Sequence, residues 1–197
     1  VFGVMTMDTI SKADMLAATV RVNISETGHG SGVILSDGVV VTAAHVTTAV
    51  VQKESLNVVT SDGTKHAAET MWESKEYDIS LLTAPSVSAK TKPHLRCSEL
   101  EAGEVVYVTG YPRSEPLLLV KGTVASRHDA PYTDSGYHWG SLRVLDITVG
   151  GGNSGGPVFD AQGSLVGIVV AGQPTPLVLR GAHYIVPGPA LCKLLGT

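Results

Sequence analysis

The segment Gly150-Gly151-Gly152-Asn153-Ser154-Gly155-Gly156-Pro157 is the stretch of the chain best suited to chemistry, with five glycines and one serine in eight residues. Glycines let a backbone turn sharply, let a substrate approach closely and let N–H groups converge on one point. A serine held there is a candidate nucleophile. In Gly152-Asn153-Ser154, its own N–H and that of Gly152 are then available to a developing oxyanion. The plainer reading, a glycine-rich turn with an incidental serine, stays open on this segment alone. A serine hydroxyl is a weak nucleophile and needs a base. Of the seven histidines, His45 alone has a setting that holds it: Val41-Thr42-Ala43-Ala44-His45-Val46 is a β-rich run ending in two small residues. The base in turn needs an orienting acid. Asp78 stands alone directly before the apolar run Ile79-Ser80-Leu81-Leu82, where a carboxylate can be partly buried against a histidine. Asp62 is the weaker candidate, because Ser61-Asp62-Gly63 is an ordinary turn.

The elements that must position these residues read as strands. Short runs rich in β-branched residues recur between turn signals: 19–24, 33–35, 39–42, 56–60 and 79–82, then 105–109, 117–120, 142–147, 165–170 and 184–186. Even spacing of many short strands points to a sandwich or barrel, not to alternating βαβ units. Helical patterns are few: a short one over 10–18, capped near Thr9 or Ser11, and another over 189–195 with proline in its first turn. The polar, strand-poor stretch 85–96 reads as a connector between two lobes.

Composition bounds the remaining classes. The chain has 197 residues, 43% of them apolar, 16% charged and 5% aromatic, with a formal net charge of −4. That is enough for a sizeable core and too apolar for disorder. Fourteen Lys plus Arg against eighteen Asp plus Glu make no basic field, so nucleic acid is not an expected partner. No apolar run is long enough for a membrane span, and the chain is expected to be soluble. The N-terminus shows no basic-then-apolar signal segment, which leaves secreted, periplasmic and viral-polyprotein origins open. Cys97 and Cys192 have no metal or redox spacing; they allow one disulfide at most, and the favoured reading is two small buried hydrophobes. No metal pairing such as His-Glu-x-x-His occurs, and no cofactor is expected. The run Gly28-His29-Gly30-Ser31-Gly32 reads as a turn, not a phosphate loop.

His45, Asp78 and Ser154, in that order and with these flanking words, resemble the chymotrypsin-fold serine peptidases. The resemblance runs from about Thr19 to Pro187. It implies an all-β fold of two antiparallel six-stranded barrels with a short C-terminal helix and the site in the cleft between them. Residues 1–18 would be an N-terminal segment with a short helix and 19–84 the first barrel, carrying His45 and Asp78. Residues 85–97 would be the connector, 98–187 the second barrel, carrying Ser154, and 188–197 the terminal helix. It also implies a catalytic triad of His45, Asp78 and Ser154, an oxyanion hole at Gly152, Asn153 and Ser154, and a polypeptide substrate. In this picture Thr42 and Ser80 cap local backbone, and Gly28–Gly32 faces the oxyanion hole.

Departures narrow the branch. Val46 follows the histidine where the digestive enzymes have cysteine, and Asn153 precedes the serine where they have an aspartate that pairs with a newly cut N-terminus. The words Val108-Thr109-Gly110-Tyr111-Pro112 and Asn153-Ser154-Gly155-Gly156-Pro157-Val158-Phe159 are similar to those of glutamyl endopeptidases, HtrA protease domains and small viral serine proteases. The resemblance implies that Thr148, Val149, Val169, Val170, Ala171 and Gly172 line the first specificity pocket, with 182–184 across from them. Trypsin-like enzymes place an aspartate at the position of Thr148; glutamyl endopeptidases place Thr or Ser at that of Val149 and His at that of Val169. A pocket with valine at both sites would leave a charged side chain desolvated and unpaired, so a small-to-medium apolar residue is expected before the scissile bond. Val170 also replaces the serine that supports the triad acid in trypsin-like enzymes.

Two other readings compete. Residues 152–156 also satisfy G-x-S-x-G, but α/β-hydrolases carry their acid and histidine after the serine, and only Asp160 and His183 follow here. A catalytically silent scaffold of the same fold is the alternative from another class; such relatives usually lose a triad residue, and this chain keeps all three.

Overall fold

A computed structural model describes residues 10–113, 115–134, 136–148, 151–172 and 182–196. Helix α1 (Lys12–Ala17) opens the described chain, with Ser11 Oγ accepting from the Asp14 N–H at 3.2 Å as its N-cap. Strands β1 (Thr19–Asn23), β2 (His29–Ser36), β3 (Val39–Ala43), β4 (Asn57–Val59), β5 (Lys65–Ala67), β6 (Glu69–Ser74) and β7 (Ile79–Thr83) follow. The one-turn helix α2 (Ala44–Thr47) interrupts them after β3. Beyond the connector come β8 (Val105–Gly110), β9 (Leu118–Val124), β10 (Ala130–Asp134), β11 (Tyr137–Asp146), β12 (Pro157–Asp160), β13 (Leu165–Gly172), β14 (Ala182–Pro187) and α3 (Gly188–Leu195).

The strands form two antiparallel sheets. The N-terminal one runs β5-β4-β1-β2-β3-β7-β6. Ala68 alone separates β5 from β6, so the chain itself bends round to bring the two edges together. The C-terminal one runs β10-β11-β14-β13-β12-β8-β9, and β9 pairs back onto β11 at Leu145↔Val124 and Asp146↔Thr123. That pairing closes a ring of six strands and leaves β10 outside it, hairpinned to β11. The runs read as strands are strands. β5, β6, β10 and β12 are strands that the sequence reading does not mark, and Gly28–Gly32 is largely β2 rather than a turn.

Period-two burial builds two cores. One fills the C-terminal ring with Val106, Val108, Val124, Leu145, Val158, Val169 and Ile185 among others. The other begins inside the N-terminal sheet with Val20, Val22, Val41, Ile79 and Leu82 and continues across the interface to Trp139, Phe159, Ile168, Val170 and Leu191. The two sheets therefore share one core. Burial of each such side chain contributes about 1.5–3 kcal/mol.

The cysteines correct the sequence expectation: Cys97 and Cys192 are joined in a disulfide, with their Cα atoms 5.8 Å apart. Their separation of 95 residues hides this in the sequence. The fold lays the end of the connector along β13, on which α3 also packs: Leu95 bridges to Leu165 and Arg96 N donates to Leu165 O at 3.0 Å. A cross-link closing so long a loop removes about 4–5 kcal/mol of denatured-chain entropy in the chain-entropy account. Replacing both cysteines by serine is expected to lower the unfolding free energy, read from a urea titration, by an amount of that order. Wild-type protein under dithiothreitol should unfold at the same midpoint as the double variant.

Candidate active site

The register of β3 on β7 brings His45 to Asp78. Ala43 pairs with Ile79 and Thr42 with Ser80. The residues just past the end of β3 therefore lie beside the one just before β7. Ala43 and Ala44 are fully buried there, and no larger side chain would let the two strand ends approach. Ala44 N donates to the Asp78 carbonyl at 3.0 Å and starts α2. The His45 N–H donates to Asp78 Oδ1 at 2.8 Å, and His45 Nδ1 lies 2.7 Å from Asp78 Oδ2. A carboxylate only accepts, so Nδ1 carries the proton and Nε2 is the ring's basic nitrogen. The Asp78 side chain has no solvent exposure, whereas the imidazole is 35% exposed. Asp78 also holds φ at +56°, the left-handed region, at a cost that non-glycine residues pay rarely and mostly at special sites.

Ser154 stands on the loop between β11 and β12, half-buried, and the loop is tied to β2. Ser31 N donates to Ser154 O at 2.8 Å; the buried Ser31 hydroxyl donates to Gly152 O and accepts from Tyr111 N, both at 2.9 Å. Arg113 N donates to Gly151 O. A trans peptide points its carbonyl and its N–H in opposite directions, so this bond turns the Gly152 N–H away from Arg113. Among the described residues no acceptor takes the N–H of Gly152 or of Ser154, and no hydrogen bond joins Ser154 Oγ to His45. Two glycines are required by geometry. Gly152 has φ +97° and Gly155 φ +86°, and a Cβ on Gly155 would collide with the Ser31 carbonyl and the Thr42 hydroxyl. Asn153 is buried, with no donor to its Oδ1 among the described residues; an uncharged amide tolerates that site far better than a carboxylate would.

The residues the sequence reading missed come from the β10–β11 hairpin. Trp139 Nε1–H donates to Asp78 Oδ2 at 3.2 Å. Beside it the Tyr137 hydroxyl donates to the Lys75 carbonyl, in the turn that leads into Asp78. Burial, and then the neighbouring Asp78 carboxylate, push the Tyr137 phenol up to about 12. Tyr137 and Trp139 are two residues apart on one strand, which puts both on one face. That spacing was the available signal, but β10 was unread and the hairpin with it.

The expected pocket residues divide. Thr148 is exposed, and Val149 lies outside the described residues. Val169 and Val170 sit on opposite faces of β13, the first inside the ring core and the second in the shared core. Ala171 and Gly172, at the end of β13, are half-exposed. His183 pairs with Gly172, and its Nδ1 donates to the Ile147 carbonyl at 2.8 Å. Thr42 Oγ1 donates to the Ser31 carbonyl at 2.7 Å and Ser80 Oγ to that of Trp72 at 3.4 Å.

A family model described as a trypsin-like peptidase domain matches residues 30–168. The chain is 32% identical over 173 residues to serine protease HTRA1 of Xenopus laevis, a match covering 84% of this chain and 35% of that protein. It is 31% identical over 140 residues to a probable periplasmic serine endoprotease, DegP-like, of Ectopseudomonas mendocina (strain ymp), covering 71% of this chain and 28% of that one. The chain thus spans about a third of the length of these curated relatives. In fold it is similar to the HtrA-type protease AlgW, solved with a tripeptide. That superposition has a TM-score of 0.80 and 22% identity, covering 95% of this chain and 63% of the other. An inactive form of Rv3671c from M. tuberculosis H37Rv superposes with a TM-score of 0.76 at 19% identity, covering 93% and 87%.

The environment of Tyr137 gives a direct check on this geometry. Replacing Asp78 by Asn removes the charge that opposes phenolate formation and leaves the burial. The Tyr137 pKa is then expected to fall from about 12 toward its ordinary value of 10.0. An absorbance titration, taken as the difference from the same protein with Tyr137→Phe, measures it; an unchanged pKa would place the two groups apart.

Proposed function

Because the chain belongs to the trypsin-like peptidase domain family, we propose that it is a serine endopeptidase working through His45, Asp78 and Ser154. The observation that carries this reading is the pair at the end of β3. A histidine ring is bonded through Nδ1 to a fully buried carboxylate, and its other nitrogen is left basic. Ser154 Oγ attacks the peptide carbonyl while His45 Nε2 takes its proton. The N–H groups of Gly152 and Ser154, on the loop that includes Asn153, receive the charge that develops on oxygen. The imidazolium gives its proton to the leaving amine, and an acyl-enzyme remains on Ser154. Water, deprotonated by His45, releases the acid and restores the serine. Asp78 keeps the proton on Nδ1 throughout and offsets the imidazolium charge without becoming protonated.

The substrate is a polypeptide, and the reading extends to a small or medium apolar residue before the scissile bond. What supports it is that the expected lining residues at the surface, the exposed Thr148 and the half-exposed Ala171 and Gly172 at the end of β13, carry no charge. No described helix is long and apolar enough to cross a membrane. The disulfide fits an oxidising compartment, as does the periplasmic DegP-like relative.

Ser154→Ala and His45→Ala are each expected to lower kcat by about 10⁶-fold, and Asp78→Ala by about 10⁴-fold. The assay is hydrolysis of a diverse peptide library, beside labelling by a fluorophosphonate. Cuts after Val, Ala or Leu that vanish in Ser154→Ala support the whole reading. Cuts after Glu or Arg would keep the triad and overturn the apolar pocket. An unlabelled, inactive wild type would favour the catalytically silent scaffold.

A further inference from the structure

We propose that Trp139 is a positioning residue for the triad acid: its indole N–H, brought across the interface by the β10–β11 hairpin, holds the Asp78 carboxylate in place for His45. The inference rests on the peptidase reading for its kinetic consequences, though not for the contact itself.

Three N–H groups reach the Asp78 carboxylate among the described residues. Two belong to His45: its backbone N–H to Oδ1 at 2.8 Å and its ring Nδ1 to Oδ2 at 2.7 Å. The third is Trp139 Nε1, 3.2 Å from Oδ2. An acid that is to orient a histidine cannot take its own orientation wholly from that histidine. Trp139 supplies the independent hold. The side chain at Val170 has no donor to offer.

The indole is itself held. Trp139 is 7% exposed, its ring stacks on Tyr132 at 5.6 Å between centroids, and Tyr137 lies against it at 4.5 Å. Tyr132 stacks in turn on Tyr184 of β14 at 3.9 Å, which anchors the hairpin to the ring. The Tyr137 hydroxyl on the Lys75 carbonyl fastens the same hairpin on the other side of Asp78. The donor is thus built into packed aromatics and does not depend on a mobile side chain. Besides the triad pair, the ionisable groups facing this site are Tyr137 and Glu73 of β6, whose Oε2 lies 3.4 Å from Thr47 Oγ1.

The chemistry gives the effect a sign. A hydrogen bond to a carboxylate favours its charged form and lowers its basicity. Without the indole N–H the carboxylate is freer to rotate and more basic, so it holds the imidazolium more tightly. His45 then becomes a competent base only at higher pH.

The test is Trp139→Phe, which keeps an aromatic ring in the stack and removes the donor. Expected are a kcat about tenfold lower with KM within about twofold, and the acid limb of kcat/KM moved up by about half a pH unit. In an Asp78→Asn background the same substitution should change kcat little, because the group through which it acts is gone. An unmoved limb together with equal losses in both backgrounds would reduce Trp139 to packing and overturn the proposal. Where Trp139→Phe does not fold, the indole decides. Trp72 is the only other tryptophan, so Trp72→Phe leaves a single indole N–H resonance. It should shift on Asp78→Asn and follow the titration of His45; a resonance indifferent to both overturns the inference. That spectrum is read without a substrate, so an inactive wild type would count against the peptidase reading and leave this result to stand or fall separately.

Discussion

A carboxylate with no access to water sits at the meeting point of the two sheets, and much of the structure follows from keeping it there. Desolvating a charge costs several kcal/mol unless hydrogen bonds replace the lost solvent. At Asp78 the replacement comes from three N–H groups, two of His45 in α2 at the end of β3 and one of Trp139 in the other sheet. The backbone of Asp78 takes a left-handed φ to present both oxygens. Small residues at Ala43 and Ala44 let its strand come close enough to β3 for the contact. Neither sheet alone would satisfy the group, so the carboxylate holds the sheets together as much as it depends on them.

Ser154, the proposed nucleophile, is positioned by a different device. His45 and Asp78 owe their meeting to strand register, which a one-residue slip would destroy. Ser154 lies on a loop, and loops are held by hydrogen bonds to a rigid neighbour. Here that neighbour is β2. The buried Ser31 gives its N–H to Ser154 O and its hydroxyl to Gly152 O, and receives the Tyr111 N–H. One residue of the N-terminal sheet thus sets the path of the loop that carries Ser154 in the other. Glycine is needed where that loop passes closest, at Gly155 against the Ser31 carbonyl.

What could be read from the sequence was what local patterns encode. A β-rich run ending in Ala-Ala-His, a lone acid before an apolar strand and a serine among glycines marked the three residues proposed to react, and even turn spacing pointed to the all-β fold. The missing parts are set by tertiary contact. β6, Glu69–Ser74, is almost wholly exposed and carries no alternation of burial, so its pairing with β7 decides its conformation. β10 contains a proline and lies outside the closed ring, and its pairing with β11 does the same. The disulfide spans 95 residues and has no local signature. Trp139 looks like an ordinary strand aromatic until the hairpin places its N–H on a carboxylate 61 residues away.

The shared core explains why a site assembled from two sheets can be sharp. Interfaces between independent domains are modest and polar, and relative motion is their default. Here one apolar cluster runs from Val20 and Val41 in the N-terminal sheet to Phe159, Ile168 and Leu191 beyond it. A fully buried hydrogen bond between Thr19 and Thr109 crosses the same boundary at 2.5 Å. Sliding one sheet on the other would expose that cluster and strand the Asp78 charge at once, which couples the geometry of the site to the stability of the whole fold. The disulfide lies elsewhere, between connector and terminal helix. It ties the connector to the terminal helix, and leaves the register of β3 on β7 and the docking of the β10–β11 hairpin to noncovalent packing.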